Sequence, residues 1–473
     1  MSRFIAARPA SFAAGLLLTC LMACGGGMTP KPFLMPTPLT DINPDPNIVE
    51  VQLVAGPSTI QYLPGSRAQV WAYRDGAVAG SVGTVPGPML LAKQGDRVIV
   101  HLRNELPEPT TIHWHGLRLP ASQDGSAAVQ TAIQPGGVFT YNFTVLDAGT
   151  FWFHPHLSGD VQIEKGLYAP IVVTGSEAID VAADRYLVLD DVKLRADGQM
   201  EDQTNPLDIM MGRQGNVVVV NGQKGATLFV ATGTRERWRL LNAANGRYFN
   251  LSLPGHSFLV IGWDGGLLPR PYSTDKLLIA PGERYEVLVT FDHPQLELLS
   301  LQTLYYDRGH DIPDPGPQDL FKVAYDSTGP APTPPMALPS SLRTLSRLDA
   351  TGTPVRIFAL EEHENPTGTL FSINGEEFPK VSPLAAKQGD LEVWEIQGNP
   401  EMDHPFHLHG NFFQVLSVDG VPPVNFGLKD TVNVPKGSKL RFAVRHETLG
   451  MWMYHCHILE HAERGMMGML MIE

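Results

Sequence analysis

Short runs in which apolar and polar residues alternate recur along this chain, each entered through a turn bearing Pro or Gly. Pro135-Gly136 leads into Val138 to Val145, Pro281-Gly282 into Tyr285 to Phe291, and Pro435-Lys-Gly437 into Leu440 to Val444. Side chains on a strand point to opposite faces in turn, so each run predicts a strand with one buried face. No stretch carries the 3.6-residue period of a long amphipathic helix. Short alternating strands separated by turns predict an all-β sandwich architecture.

The runs belong to a larger repeat. Ala92-Lys-Gln-Gly-Asp96 returns as Ala386-Lys-Gln-Gly-Asp390, and each Asp precedes the last His of a His-x-His pair by 19 residues, at His115 and His409. Gly136 and Gly437 each stand 18 residues before another His pair, beginning at His154 and His455. Between them, Gly233 to Asn242 echoes the strand that precedes the His motifs, but Leu251-Ser-Leu253 follows where the outer copies have His-x-His. The chain therefore reads as three copies of one unit. Their expected bounds are 48–174, 175–326 and 346–473, with a Pro-rich linker over 327–345. The middle copy reads as a metal-free spacer.

Charge and cysteines narrow the setting. Acidic side chains outnumber basic ones 49 to 35, and a net charge of −14 disfavours nucleic acid and anionic lipid surfaces as partners. Arg3 and Arg8 followed by the apolar stretch Ser11 to Ala23 read as an export signal, too short to span a membrane. It ends Leu21-Met22-Ala23-Cys24, which resembles a bacterial lipoprotein cleavage box over 1–24 with Cys24 as the acylated residue. Residues 25–47 are rich in Gly and Pro and read as an extended tether. The expectation is an exported, periplasmic protein on a lipid anchor, at the outer membrane where the cell has one. Of the three cysteines, only Cys456 would remain as a thiol in an oxidising compartment, which suits a metal ligand.

Cys456 lies in His455-Cys456-His457-Ile-Leu-Glu-His461, with Met466 five residues beyond His461. A Cys thiolate, a His and a Met are three of the four groups of a His₂Cys copper site with a weak axial Met. On a strand, Cys456 points to one face and its flanking histidines to the other. Three further clusters have strand spacing: His113-Trp-His115, His154-Pro-His156 and His404-Pro-Phe-His407-Leu-His409. Ten of the 16 histidines fall in these four motifs. His101, His256, His293, His310, His363 and His446 lack such spacing and read as surface or structural residues.

These four motifs resemble those of the multicopper oxidases, the family of laccases and bacterial copper-efflux oxidases. The resemblance implies three consecutive cupredoxin-like Greek-key β-sandwich domains and four copper ions. It implies a type 1 copper on His404, Cys456, His461 and Met466, and a type 2 copper on His113 and His407. A type 3 pair would take His115, His154 and His457 on one ion and His156, His409 and His455 on the other. Without a twin-Arg pair in the signal, copper would be loaded after export. The implied reaction takes single electrons from a donor and reduces O₂ to water. A non-catalytic copper-binding envelope protein is the remote alternative.

Two acids are expected to serve protons. Asp124, nine residues past His115, sits where the family has an acid beside the type 2 copper, although Asp-Gly is also a strong turn signal. The family's second acid would follow His461 directly; Ala462 stands there, and Glu463 one residue on. For the donor, phenols or aromatic amines are the first expectation and Cu(I) the second. Copper-efflux oxidases carry a Met-rich insertion near the type 1 site, and the corresponding region here, Tyr305 to Leu345, has only Met336, so the resemblance implies a type 1 edge open to bulky phenols. Met402, flanked by Glu401 and Asp403, is the candidate for Cu(I). Met451, Met453, Met466, Met467, Met469 and Met471 invite a copper-relay reading, but Met467, Met469 and Met471 alternate as in a strand and read first as core filling.

Overall fold

A computed structural model of the chain describes residues 30–293, 298–326, 333–365 and 368–473. The expected signal, Cys24 and the first residues of the expected tether lie outside these, as do 327–332 of the linker.

The described strands pair into six sheets, two for each copy. One pairing scheme is used three times. The first strand of each copy runs parallel to a later one: Ile48–Ile60 with Arg97–Asn104, Ala183–Val192 with Thr234–Asn242, and Val355–Asn365 with Leu391–Gln397. That later strand pairs antiparallel with the alternating run after the Pro/Gly turn: Val138–Thr144, Arg284–Phe291 and Lys439–Arg445. Alternation explains the layering. In Arg97–Asn104, Val98, Val100 and Leu102 are buried while Arg97 and Arg103 face solvent. Among the described residues helix is confined to short pieces, including Gly159–Gln162, Pro206–Met211 and Leu459–Glu463.

The second sheet of each outer copy carries the histidines. His113–His115 pairs antiparallel with Gly149–His154, setting His113 opposite His154. His404–Leu408 pairs antiparallel with Gly450–Cys456, setting His407 opposite His455. A single apolar cluster runs through both outer copies, from Val51 and Trp114 to Trp394 and Trp452. The middle copy has its own cluster around Trp238 and Phe249. Burying a shared apolar seam between copies one and three is what holds their His strands face to face.

Residues 30–47 differ from a free tether. Pro32 bridges to Thr227 and Pro38 to Met89, the Phe33 ring lies 4.8 Å from that of Phe321, and the Leu39 N–H donates to the Met89 carbonyl at 2.8 Å. Pro and Gly keep the segment extended, and its apolar side chains dock it across copies one and two.

Candidate metal centre

The strand Gly450–Cys456 organises two clusters, one on each face. On the Cys456 side, Sγ stands 3.5 Å from His404 Nδ1 and 3.8 Å from His461 Nδ1, and the two nitrogens are 3.2 Å apart. Ligand atoms held about 2.0–2.3 Å from one ion are separated from each other by roughly such distances. His404 comes from the start of its strand, and His461 from the helix Leu459–Glu463, where its ring stacks 3.9 Å over Phe371. Met466 is fully buried and adjacent, its carbonyl accepting the Cys456 N–H at 3.1 Å. The Ile458 N–H donates to Cys456 Sγ at 3.3 Å, favouring a thiolate there.

On the other face eight histidines converge. His455 Nε2 lies 3.1 Å from His409 Nε2 and 3.4 Å from His156 Nε2. His154 Nε2 lies 3.5 Å from His115 Nδ1. The His457 ring stands 5.0 Å from that of His115 and 5.8 Å from that of His154. His113 and His407 are 5.8 Å apart, each stacked at 3.8 Å on a His of the opposite copy, His409 and His115 respectively. His156 is partly buried and the rest are buried.

Most of these rings offer one nitrogen inward and anchor the other. His113 Nδ1 faces the Asp124 carbonyl at 3.1 Å, His407 Nδ1 the Asp430 carbonyl at 2.9 Å, and His455 Nδ1 the Cys456 carbonyl at 2.8 Å. His154 Nδ1 faces the Pro155 carbonyl at 2.9 Å. Metal-binding imidazoles are commonly oriented this way, by an acceptor on the outer nitrogen. The inward atoms His113 Nε2 and His407 Nε2 are buried with no hydrogen-bond partner, as are both nitrogens of His457. Buried polar nitrogens are costly unless satisfied, and a soft or borderline metal would satisfy them. Burial lowers the imidazoles of His115, His154, His156, His407, His409, His455, His457 and His461, and that of His404 to about 3, so these stay neutral and able to ligate. Burial also pushes the Cys456 thiol up, so the metal itself would be what holds it as thiolate.

Asp124 is buried between the copies. Its carboxylate lies 3.0 Å from His409 Nδ1 and 3.2 Å from His113 Nδ1. Burial raises it, but His409 and His113 together outweigh burial and hold it well below the usual carboxylate range. The turn itself is demanding: Gly125 has φ +78°, and a Cβ there would meet the Ile112 carbonyl oxygen at 1.7 Å. The tight turn and the buried carboxylate beside two histidines thus coexist. Glu463 accepts from the Gly159 N–H at 2.7 Å, three residues beyond His156, and burial raises it to about 7.

Sequence spacing gave no sign of four other contributors. Asp430 lies 3.1 Å from His115 Nε2 and is clasped by Arg284. Arg284 belongs to the middle copy, which is therefore more than a spacer. From the same copy, Met210 offers its carbonyl to His461 Nε2 at 3.1 Å, and a Cβ on Gly282 would meet the His457 ring at 2.9 Å. The signal available was a charged residue inside a buried strand pattern, at Arg284.

The donor edge also departs from expectation. His404 and His461 are both fully buried, because the segment with the helix Pro206–Met211 covers the place where an opening was expected. Met402 is fully buried, and the Asp403 carboxylate is taken up by Tyr306, Asn433 and the Lys436 N–H. Glu401 alone of the three is exposed. Beside them, His310 Nε2 and Glu362 Oε2 face each other at 3.5 Å with no hydrogen-bond partner, so His310 is more than a surface residue.

Sequence models of the multicopper oxidase family match residues 65–178, 184–297 and 349–473. The chain is 31% identical to multicopper oxidase MmcO of Mycobacterium tuberculosis over 433 residues, covering 81% of each. It is 32% identical to a multicopper oxidase of Staphylococcus epidermidis over 413 residues, covering 83% of each. Among solved structures, it resembles a Campylobacter jejuni multicopper oxidase described as a metallo-oxidase, with TM-score 0.83 and 28% identity over 94% of this chain and 96% of that one. It also resembles a laccase-like oxidase of an Ochrobactrum species, described as active on lignin model compounds, with TM-score 0.80 and 28% identity over 93% and 100% of the two chains.

Proposed function

The chain belongs to the multicopper oxidase family, oxidoreductases that carry electrons from a reducing substrate to dioxygen, and from that premise we propose how its residues divide the work. When bound, about four coppers would supply one-electron oxidation at a type 1 site and reduction of O₂ to water at a three-copper cluster. His404, Cys456, His461 and Met466 would hold the first. His113 and His407 would hold the type 2 ion, with His115, His154 and His457, and His156, His409 and His455, holding the type 3 pair. The observation that carries this reading is that Cys456 and its flanking histidines serve opposite faces of one strand, so a covalent path joins the two clusters. Asp124 would hand protons inward at its carboxylate, and Glu463, protonated up to about pH 7, is a candidate second donor. Arg284 and Asp430 would fix the His115 and His407 rings.

For the electron donor, the buried type 1 edge favours a small one over a bulky phenol in contact with His404 or His461. A reduced transition-metal ion fits the unpartnered His310 and Glu362 atoms, since imidazole and carboxylate suit such ions. Burial, with Glu364 and Glu401, raises the Glu362 carboxyl to about 7, a crowding of like charge that a cation would relieve. A phenolic donor is the second reading. It is favoured by a cavity of about 330 Å³ lined by Tyr248, Tyr305, Tyr306 and Met211, from which Tyr306 reaches Asp403 at 2.6 Å. Oxygen uptake with Cu(I), Fe(II) and a dimethoxyphenol, with and without excess Cu(II), in wild type and Glu362→Gln, tests the two. The metal reading expects metal oxidation to fall about tenfold or more in the variant with phenol turnover retained. Fast phenol turnover and indifferent metal oxidation would reverse the order.

We further propose export and acylation at Cys24, supported by the Leu21-Met22-Ala23-Cys24 box. Mass spectrometry of the N-terminal peptide should find an acylated Cys24, lost in Cys24→Ala; an unmodified terminus elsewhere would leave a freely soluble exported enzyme.

A further inference from the structure

Five methionines form one column beside the eight-histidine cluster. The strands Gly450–Cys456 and Met467–Ile472 pair antiparallel with Met451 opposite Met471, Met453 opposite Met469, and His455 opposite Met467. Directly opposed residues share a face with Cβ atoms about 4.5–5.5 Å apart, and same-face neighbours along a strand are spaced by about 7 Å. The residues between them, Trp452, Tyr454, Cys456, Leu470 and Ile472, turn the other way into the main apolar core. Met453 and Met467 pack with Ala462 in a small apolar cluster of their own, yet on these strands the face toward the main core has no methionine and the opposite face has five.

Exposure falls along the column. Met451, Met469 and Met471 are half-buried, while Met453 is 1% and Met467 6% exposed. The inner end is His455, whose Nε2 already faces His409 and His156. Of the histidines at that end His156 is partly buried and His409 and His455 are closed off from solvent, so a line of ligands would guide a metal ion that arrives after folding. Thioether sulfur is a soft ligand suited to Cu(I), and methionine's three rotatable bonds let neighbours converge on one ion.

We infer that this column is an entry route along which Cu(I) passes from the surface to the His455 site. The inference rests on the copper-oxidase reading above. The ion exchanges one set of thioethers for the next and ends on imidazoles, with no change of oxidation state on the way.

The test uses the full chain without copper, carrying ¹³C-methyl methionine, with Ag(I) as a redox-inert probe for Cu(I). The methyl resonances of Met451, Met469 and Met471 should shift at the first additions. In a second measurement, Cu(I) is supplied anaerobically and loading of the two centres is followed after brief oxidation. Met451→Leu/Met469→Leu/Met471→Leu nearly conserves volume, which cores tolerate. Its blue Cys456 colour should develop at the wild-type rate, while copper reaches the histidine cluster about tenfold more slowly or worse, the scale on which groups around a metal site act. Unshifted methyls, or equal loading of the histidine cluster in a protein that turns blue, overturn the entry route alone. A wild type that takes up no copper overturns the entry route and the copper reading together.

Discussion

Arg284 and Asp430 meet in two parallel hydrogen bonds of 2.6 Å each, both side chains fully buried. The pair joins the middle copy to the third, and its carboxylate also reaches His115 of the first. One ion pair thus ties all three copies at the wall of the histidine cluster.

Breaking that pair should cost both fold and site. Asp430→Asn leaves the buried Arg284 guanidinium with Asp264, 3.5 Å away, as its remaining counter-charge, a change of up to about 3–5 kcal/mol. We predict a lower melting temperature and reduced copper at the histidine cluster, with the Cys456 colour retained in the protein that folds. Calorimetry and copper analysis check both. Unchanged stability and full copper content would mean that Arg284 finds an equivalent partner.

Asp124→Asn preserves shape and removes the ionisable proton. Reduction of the type 1 copper should remain fast while reoxidation by oxygen slows by roughly 10²–10⁴-fold, the scale of positioned proton transfer. Stopped-flow measurement of the two half-reactions separates them, and unchanged reoxidation would reduce Asp124 to a turn residue.

Glu286 predicts an acid limb of stability. It joins Arg237 and Arg239 of the middle copy to Thr150 of the first. Burial raises its carboxyl, but Arg237 and Arg239 outweigh burial and bring it from 4.5 to about 2. A folded value below the ordinary one stabilises the fold above pH 4.5, and that contribution drains away as pH falls from there through 2. The loss is on the order of 3 kcal/mol. Denaturant titrations between pH 5 and 3 should show wild type weakening with a slope that Glu286→Gln largely lacks; identical slopes would place the acid sensitivity elsewhere.

The strand-borne site was legible because a period of two residues fixes which side chains share a face. His113 and His115, or His455 and His457, can be read as pairs from spacing alone, and the repeat of Ala92 to Asp96 at Ala386 to Asp390 gave the copies. The contributions of Arg284, Met210 and Gly282 were not legible, since they arise from packing one copy against another and follow no period. The covered type 1 edge was missed for a related reason. An opening was expected from the shortage of methionine in Tyr305 to Leu345, but the cover comes from Pro206–Met211, a different stretch of the chain. Residues 30–47 have the composition of a tether, yet Phe33 and Leu39 supply enough apolar surface to dock it.

Cys456→Ser isolates the electron path. Its loss should remove the blue colour and the oxidase activity while copper stays on the histidines of the opposite face. A variant that keeps its colour would contradict the assignment of Cys456 as the thiolate ligand.

The most direct test counts electrons. Copper-loaded protein is reduced fully without oxygen, then exposed to a measured amount of O₂ while the blue colour, oxygen consumed and peroxide formed are followed together. The account predicts a blue protein holding about four coppers that returns to its oxidised state by consuming one O₂ per four electrons, with no peroxide released. A colourless protein at full copper occupancy, or release of peroxide at two electrons per O₂, would contradict it.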